Sequence, residues 1–194
     1  IYVLAESSEG IFLLQIAEPA ASDSGPANPR IVRSQILTQP QFSSTTHPLR
    51  KHAGLVPSYA HGLLICPTCD ERIVAVSADD HAVRWVFRYA GLIRLQEIGG
   101  DDPVLSGSRD IGDSGRADLD SRWIDSLPRI VGNRVLVTPR DSDKLFCLDL
   151  QTAKERWKMD RGPFHSIAAI KDDKLILCGN STIQAFQVDD GKPL

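Results

Sequence analysis

One short strand pattern recurs four times in this chain, and that recurrence limits the fold before any single residue is considered. The copies are IYVLAESSEGIFLLQI from Ile1, GLLICPTCDERIVAVSADDHAVRW from Gly62, RVLVTPRDSDKLFCLDLQTAKERW from Arg134 and KLILCGNSTIQAFQVDDGKPL from Lys174. Repeats of about 40 residues indicate a propeller, a solenoid or another array, because each unit buries its apolar face only against the next. Nine residues separate Val76 from Trp85 and Leu148 from Trp157, and nine separate Pro67 from Val76 and Pro139 from Leu148, so two copies align without a gap. Leu14 and Phe186 hold the equivalent place in the first and fourth copies, and the fourth ends one residue before its tryptophan would come.

Alternation of apolar and polar residues turns each copy into strands. In the third copy it predicts a strand from Val135 to Val137, a polar hairpin loop from Pro139 to Asp143, a second strand from Leu145 to Leu150, a turn, and a third strand ending at Trp157. A further strand precedes three copies, at Leu55 to Tyr59, Ile124 to Ile130 and His165 to Ile170, and Ile31 to Leu37 completes the first. Four antiparallel strands in each repeat make a propeller blade. The expectation is an all-β chain, a β-propeller of four-stranded antiparallel blades present as a partial propeller of about four blades, complete or partial. Its blade segments fall at residues 1–16, 54–90, 123–162 and 163–194.

The segments AVSADDHAVRW (Ala75 to Trp85) and CLDLQTAKERW (Cys147 to Trp157) resemble the tryptophan-docking repeat of quinoprotein-like propellers, A-x-D-x-x-T-G-K-x-x-W. AFQVDDGKPL (Ala185 to Leu194) resembles a third copy short of its tryptophan. Ala75, Ala185, Asp149, Thr152, Lys154, Gly191, Lys192, Trp85 and Trp157 fit that pattern, whereas Ser77, His81 and Ala153 depart from it. The phrases ICPT (Ile65 to Thr68), VLVTPRDS (Val135 to Ser142), LFCLDL and LILCG are also similar to a group of large bacterial proteins with repeats of this kind. The resemblance implies relatives of two sorts: an outer-membrane assembly lipoprotein that works as a scaffold, and dehydrogenases that hold pyrroloquinoline quinone and calcium.

The motif also has a physical reading of its own. A tryptophan ring between two sheets buries about 150 to 250 Å², while its indole N–H needs an acceptor that a neighbouring blade can supply. Small residues at Ala75, Cys147 and Ala185 leave room for a ring or a backbone to approach. Asp149 and Thr152 bring turn chemistry, since their side chains bond nearby backbone N–H groups and help to stop the strand. Trp85 and Trp157 are therefore expected as glue between blades, together with Asp149, Thr152, Ala75, Ala185 and Gly191.

Two stretches interrupt the repeat. Residues 18–53 and 98–122 are rich in Pro, Gly, Ser and Asp and read as long insertions between blades, the second as solvated or mobile surface. The remaining composition, 42% apolar and 24% charged over 194 residues, suffices for one ordinary core. A net charge of −3 is too mild to argue for nucleic acid or an anionic membrane. No apolar run approaches the length of a membrane span, and no signal peptide is visible ahead of the opening strand at Ile1 to Leu4.

Cysteine and histidine carry the candidates for chemistry. Cys66 and Cys69 form a C-x-x-C that suits a redox pair, half a zinc site, a local disulfide or two unreactive thiols. Its place at the end of a strand, rather than at a helix N-terminus, favours unreactive thiols. Cys147 and Cys178 fall in other strands, so four sulfurs are not expected to converge. His47, His52 and His61 have gaps that match neither a helical nor a strand-borne ligand pair and read as solvated loop histidines. Asp141 and Asp143, beside Ser142 and Arg140, lack the calcium-loop pattern and read as turn formers.

The function expected from these readings is a noncatalytic protein-binding or scaffolding propeller module of a larger bacterial protein, with no cofactor, no metal site and no catalytic residue assigned. The alternative is a fragment of a dehydrogenase dependent on pyrroloquinoline quinone and calcium. Expected partners are a protein, with neither nucleic acid nor a transmembrane segment involved, in a periplasmic or exported setting. Unpaired blade faces predict self-association of the isolated chain.

Overall fold

The computed structural model describes residues 1–17, 30–39, 55–91 and 122–194, and every regular element in them is a β-strand. Blade 1 consists of β1 (Tyr2–Ser7), β2 (Gly10–Ile16) and β3 (Ile31–Thr38). Blade 2 holds β4 (Ser58–Ala60), β5 (Leu63–Pro67), β6 (Arg72–Ser77) and β7 (Val83–Arg88) in that order. Blade 3 repeats it with β8 (Arg129–Val131), β9 (Arg134–Val137), β10 (Lys144–Asp149) and β11 (Glu155–Asp160). Blade 4 has β12 (Phe164–Lys171), β13 (Lys174–Gly179) and β14 (Ile183–Gln187). All neighbours pair antiparallel. The chain is a partial β-propeller.

Three apolar layers between successive blades hold the molecule together. Leu4 and Leu13 of blade 1 meet Leu64, Val74 and Val76 of blade 2. The opposite face of blade 2, with Ile65, Ile73 and Trp85, meets Val135, Phe146 and Leu148 of blade 3. Leu136, Leu145 and Cys147 on the other face of blade 3 meet Leu175, Leu177 and Phe186 of blade 4. Strand alternation produces this sandwich, since successive side chains point to opposite faces and a middle blade must be apolar on both. It explains the continuous burial of β5 and of most of β6.

Three expectations need correction. The first strands of blades 2 and 3 are short, beginning at Ser58 and Arg129 rather than at Leu55 and Ile124. Pro57 and Pro128 immediately precede them, and proline has no N–H to give a ladder, so pairing starts only beyond it. The tryptophans do not end their strands: β7 runs on to Arg88 and β11 to Asp160, three residues past Trp85 and Trp157. At the edge of the second insertion, Arg122 is buried, whereas residues 92–121 lie outside the described residues, as do 18–29 and 40–54 of the first. His47 and His52 fall there too.

Candidate functional site

The residues singled out by the repeat gather at the seams between blades. Trp85 lies directly across from Ala75, and Trp157 from Cys147, so a small residue sits beneath each ring. A register shift follows in both pairs, leaving Arg84 and Arg156 as extra residues just before the rings. Arg84 Nη2 bonds Asp80 Oδ2 at 2.9 Å and Arg156 Nη2 bonds Asp149 Oδ2 at 2.7 Å, tying each bulge to the preceding turn. The indoles then reach across the seam: Trp85 Nε1 donates to Leu150 O and Trp157 Nε1 to Val188 O, both at 2.9 Å. Ala185 pairs with Ile176 of β13, and its carbonyl accepts the Leu194 N–H.

The turn opposite each ring is built for close approach. Asp149 Oδ1 accepts the N–H groups of Gln151 and Thr152 and the Thr152 hydroxyl, closing the turn. In blades 2 and 4 a carboxylate stands at the Thr152 position instead: Asp80 Oδ1 accepts from Ala82 N and Asp190 Oδ1 from Lys192 N, each at 3.0 Å. The residue after it is left-handed in all three turns, at His81 (φ 62), Ala153 (φ 60) and Gly191 (φ 71). A Cβ on Gly191 would come within 2.8 Å of Trp157 Cε3, so it is the ring stacked on it that calls for glycine there, since His81 and Ala153 adopt the same left-handed φ in their own turns.

Sequence reasoning missed a third member of the series. Blade 1 has no tryptophan, yet Tyr2 Oη donates to Ala78 O at 3.3 Å, the carbonyl equivalent to those of Leu150 and Val188. Its ring lies 5.8 Å from that of His81, the left-handed residue of that turn. Trp123 was also missed: it is fully buried against blade 4 residues and donates to Lys144 O at 3.2 Å. A lone tryptophan after a long polar run was the available signal.

Asp141 corrects the turn-former reading. Its carboxylate is buried and crosses to blade 2, where Oδ1 accepts the Tyr89 hydroxyl at 2.7 Å and Oδ2 accepts the Glu71 N–H at 2.9 Å. Burial, and then the Asp141 charge, push the Tyr89 phenol well above its usual range, so it stays a donor. No disulfide joins any of the four cysteines. Burial pushes Cys66 up to about 12 and Cys147 up to about 11, which removes thiolate at neutral pH. His61 stands exposed in the turn between β4 and β5. No three His, Cys, Asp or Glu side chains among the described residues converge as metal ligands.

The sequence pattern described as outer membrane protein assembly factor BamB matches residues 70–194, more than half of the chain. The chain belongs to the BamB family. Among solved structures, BamB from Moraxella catarrhalis superposes with a TM-score of 0.54 at 14% identity over 98% of this chain, and the chain spans 44% of that protein's length. A europium-containing methanol dehydrogenase gives 0.47 at 14% identity, over 71% of this chain and 23% of its own. The quinohemoprotein alcohol dehydrogenase of Comamonas testosteroni gives 0.46 at 15%, over 75% and 21%. No curated protein matches the sequence. The BamB likeness establishes the propeller, and no helix among the described residues is long and apolar enough to cross a membrane.

Proposed function

We propose that this BamB-family chain is a noncatalytic binding module whose stacked blades present a rigid surface to a protein partner. Family membership over residues 70–194 carries the reading. The chemistry of the seams supports it, because Asp80, Asp141, Asp149 and Asp190 are engaged in turns and blade contacts, and the thiols of Cys66 and Cys147 are desolvated. The dehydrogenase alternative would need a carboxylate ligand set for calcium, and among the described residues no three His, Cys, Asp or Glu side chains converge.

The test is photo-cross-linking in the producing cell, with a photoreactive amino acid placed at exposed positions one at a time: Tyr59 and Ala169 on the inner strands, Val86 and Lys158 on the outer ones. Discrete protein adducts at a clustered subset of positions are expected. Absence of adducts at every position, combined with stoichiometric retention of quinone and calcium in equilibrium dialysis, would replace this reading with the dehydrogenase one.

A further inference from the structure

The inner strands β4, β8 and β12 each pair on one side only, so their other edges have no strand beside them among the described residues. Between them lies a groove of about 510 Å³, lined by Tyr59, Pro128, Arg129, Ile167 and Ala169 among others. Its frame is fixed before anything binds, since Ser58 Oγ donates to Pro128 O at 2.6 Å and ties β4 to the approach of β8. Tyr59 is 64% exposed, and Ala168 and Ala169 offer small, exposed side chains that leave the backbone of β12 within reach. The register of β12 slips at His165 and again at Ala168, so this edge admits only a short run of added strand pairing.

Charge says what that short run should carry. Arg129 is the one charged side chain among the lining residues, in a chain whose net charge is −3. Its Nε is buried without a hydrogen-bond partner, and its Nη2 forms a partly exposed ion pair with Asp125 Oδ2 at 3.8 Å, longer than a hydrogen bond. Asp125 Oδ1 is already taken by the Leu127 N–H. A guanidinium held by a long, partly exposed ion pair beside an apolar groove is complementary to a second carboxylate brought in at hydrogen-bond distance between apolar neighbours.

We propose that this groove binds an extended, mainly apolar segment of a partner protein that contains an internal Asp or Glu. The carboxylate sits on Arg129, and the flanking apolar side chains pack on Tyr59, Ile167 and Ala169. The assignment rests on the protein-binding reading above and adds the place and the chemistry of the partner.

The probes are fluorescein-labelled octapeptides of alternating Val and Thr with a central Leu-Glu, Leu-Gln or Leu-Lys step, followed by anisotropy on the full chain. The Leu-Glu peptide is expected to bind about tenfold tighter than its Gln counterpart, the usual scale for a hydrogen bond to a charged group. Arg129→Gln, with an unchanged thermal midpoint, should erase that preference, and Ala169→Phe should weaken all binding by filling the groove. Should Arg129→Gln fail to fold, the Glu and Gln peptides on the unmodified chain still decide. Equal binding of the three peptides, or none by any of them, overturns the proposal. Cross-links formed at Val86 or Lys158 but never at Tyr59 or Ala169 would overturn the groove while leaving a protein-binding module. Cross-links between two copies at Tyr59 would assign it to self-association instead.

Discussion

The seam between blades 1 and 2 and the seam between blades 2 and 3 use the same acceptor and different donors. In the second, an indole from the outer strand β7 crosses to Leu150 O, whereas in the first a phenol from β1 crosses to Ala78 O. The turns facing them differ as well, with the small Ala153 at one seam and His81 against the tyrosine at the other. A carbonyl at the end of a strand and a left-handed residue after it therefore define the docking position. The ring that fills it can come from another strand, provided ring and turn residue are sized together.

The comparison breaks most sharply if the tryptophan seam is emptied. Trp85 is 8% exposed, and Trp85→Ala should cost about 3 to 5 kcal/mol in chemical denaturation. Trp157 is only half-buried, so Trp157→Ala should cost less than Trp85→Ala while exceeding the effect of exposed substitutions. A loss under about 1 kcal/mol for Trp85→Ala would mean that the seam collapses around the gap and that the ring is not what holds blade 2 to blade 3.

Size matching is tested from the turn side by Gly191→Ala. The added Cβ meets the Trp157 ring at 2.8 Å and must also sit at φ 71. Overpacking of this kind typically costs about 1 to 3 kcal/mol. The natural Ala153 at the neighbouring seam shows that the turn itself tolerates a methyl group, so Gly191→Ala in a Trp157→Ala background should recover much of the loss. Additive losses in that double-mutant cycle would mean that the ring and the turn are independent.

How far these contacts could be read in the sequence follows from where their partners lie. The blade pattern and the turn at Asp149 were legible, since both are set by residues within one repeat, and Asp149 bonds Gln151 and Thr152 as its spacing suggests. The early ends of the expected tryptophan strands arose from treating the ring as a stop, whereas the bulges at Arg84 and Arg156 keep the ladders going past it. Tyr2 and Asp141 could not be read, because each bonds a partner in another blade, 76 and 52 residues away. Their types suggested only a strand residue and a turn former. Arg129 escaped for the same reason, since its groove exists only once three blades stand side by side.

A milder change sharpens the contrast between donors. Tyr2→Phe keeps the ring on His81 and removes only the hydroxyl that reaches Ala78 O at 3.3 Å, so about 0.5 to 1 kcal/mol should be lost. Tyr2→Ala should cost several times more, as the ring packs against the layer formed by Leu4, Leu13 and Leu64. If the two variants lose equally, the hydroxyl alone does the docking and the ring is incidental, unlike the tryptophan seam.

The smallest effect concerns the carboxylates of the turns, and its sign follows from what surrounds them. The Arg156 guanidinium holds the Asp149 carboxyl below the usual carboxylate range, opposed by partial burial and aided by the Thr152 hydroxyl and the Thr152 and Gln151 amides. A carboxyl whose pKa is depressed on folding contributes stability that is present above its unfolded value of about 3.9 and is lost as the pH falls through its folded value. Asp149→Asn should therefore cost well under about 1 kcal/mol at neutral pH, the scale of a partly exposed pair, and that gap should close below about pH 4. At the first seam the same work falls to Asp80, which the Ala82 N–H and then the Ser77 hydroxyl hold low, with Arg84 a lesser contributor. High salt should consequently shrink the Asp149→Asn gap more than the Asp80→Asn gap, because screening weakens an ion pair and leaves a backbone hydrogen bond in place. Equal salt sensitivity would show that the two turns are held by the same force, and that only their rings distinguish the seams.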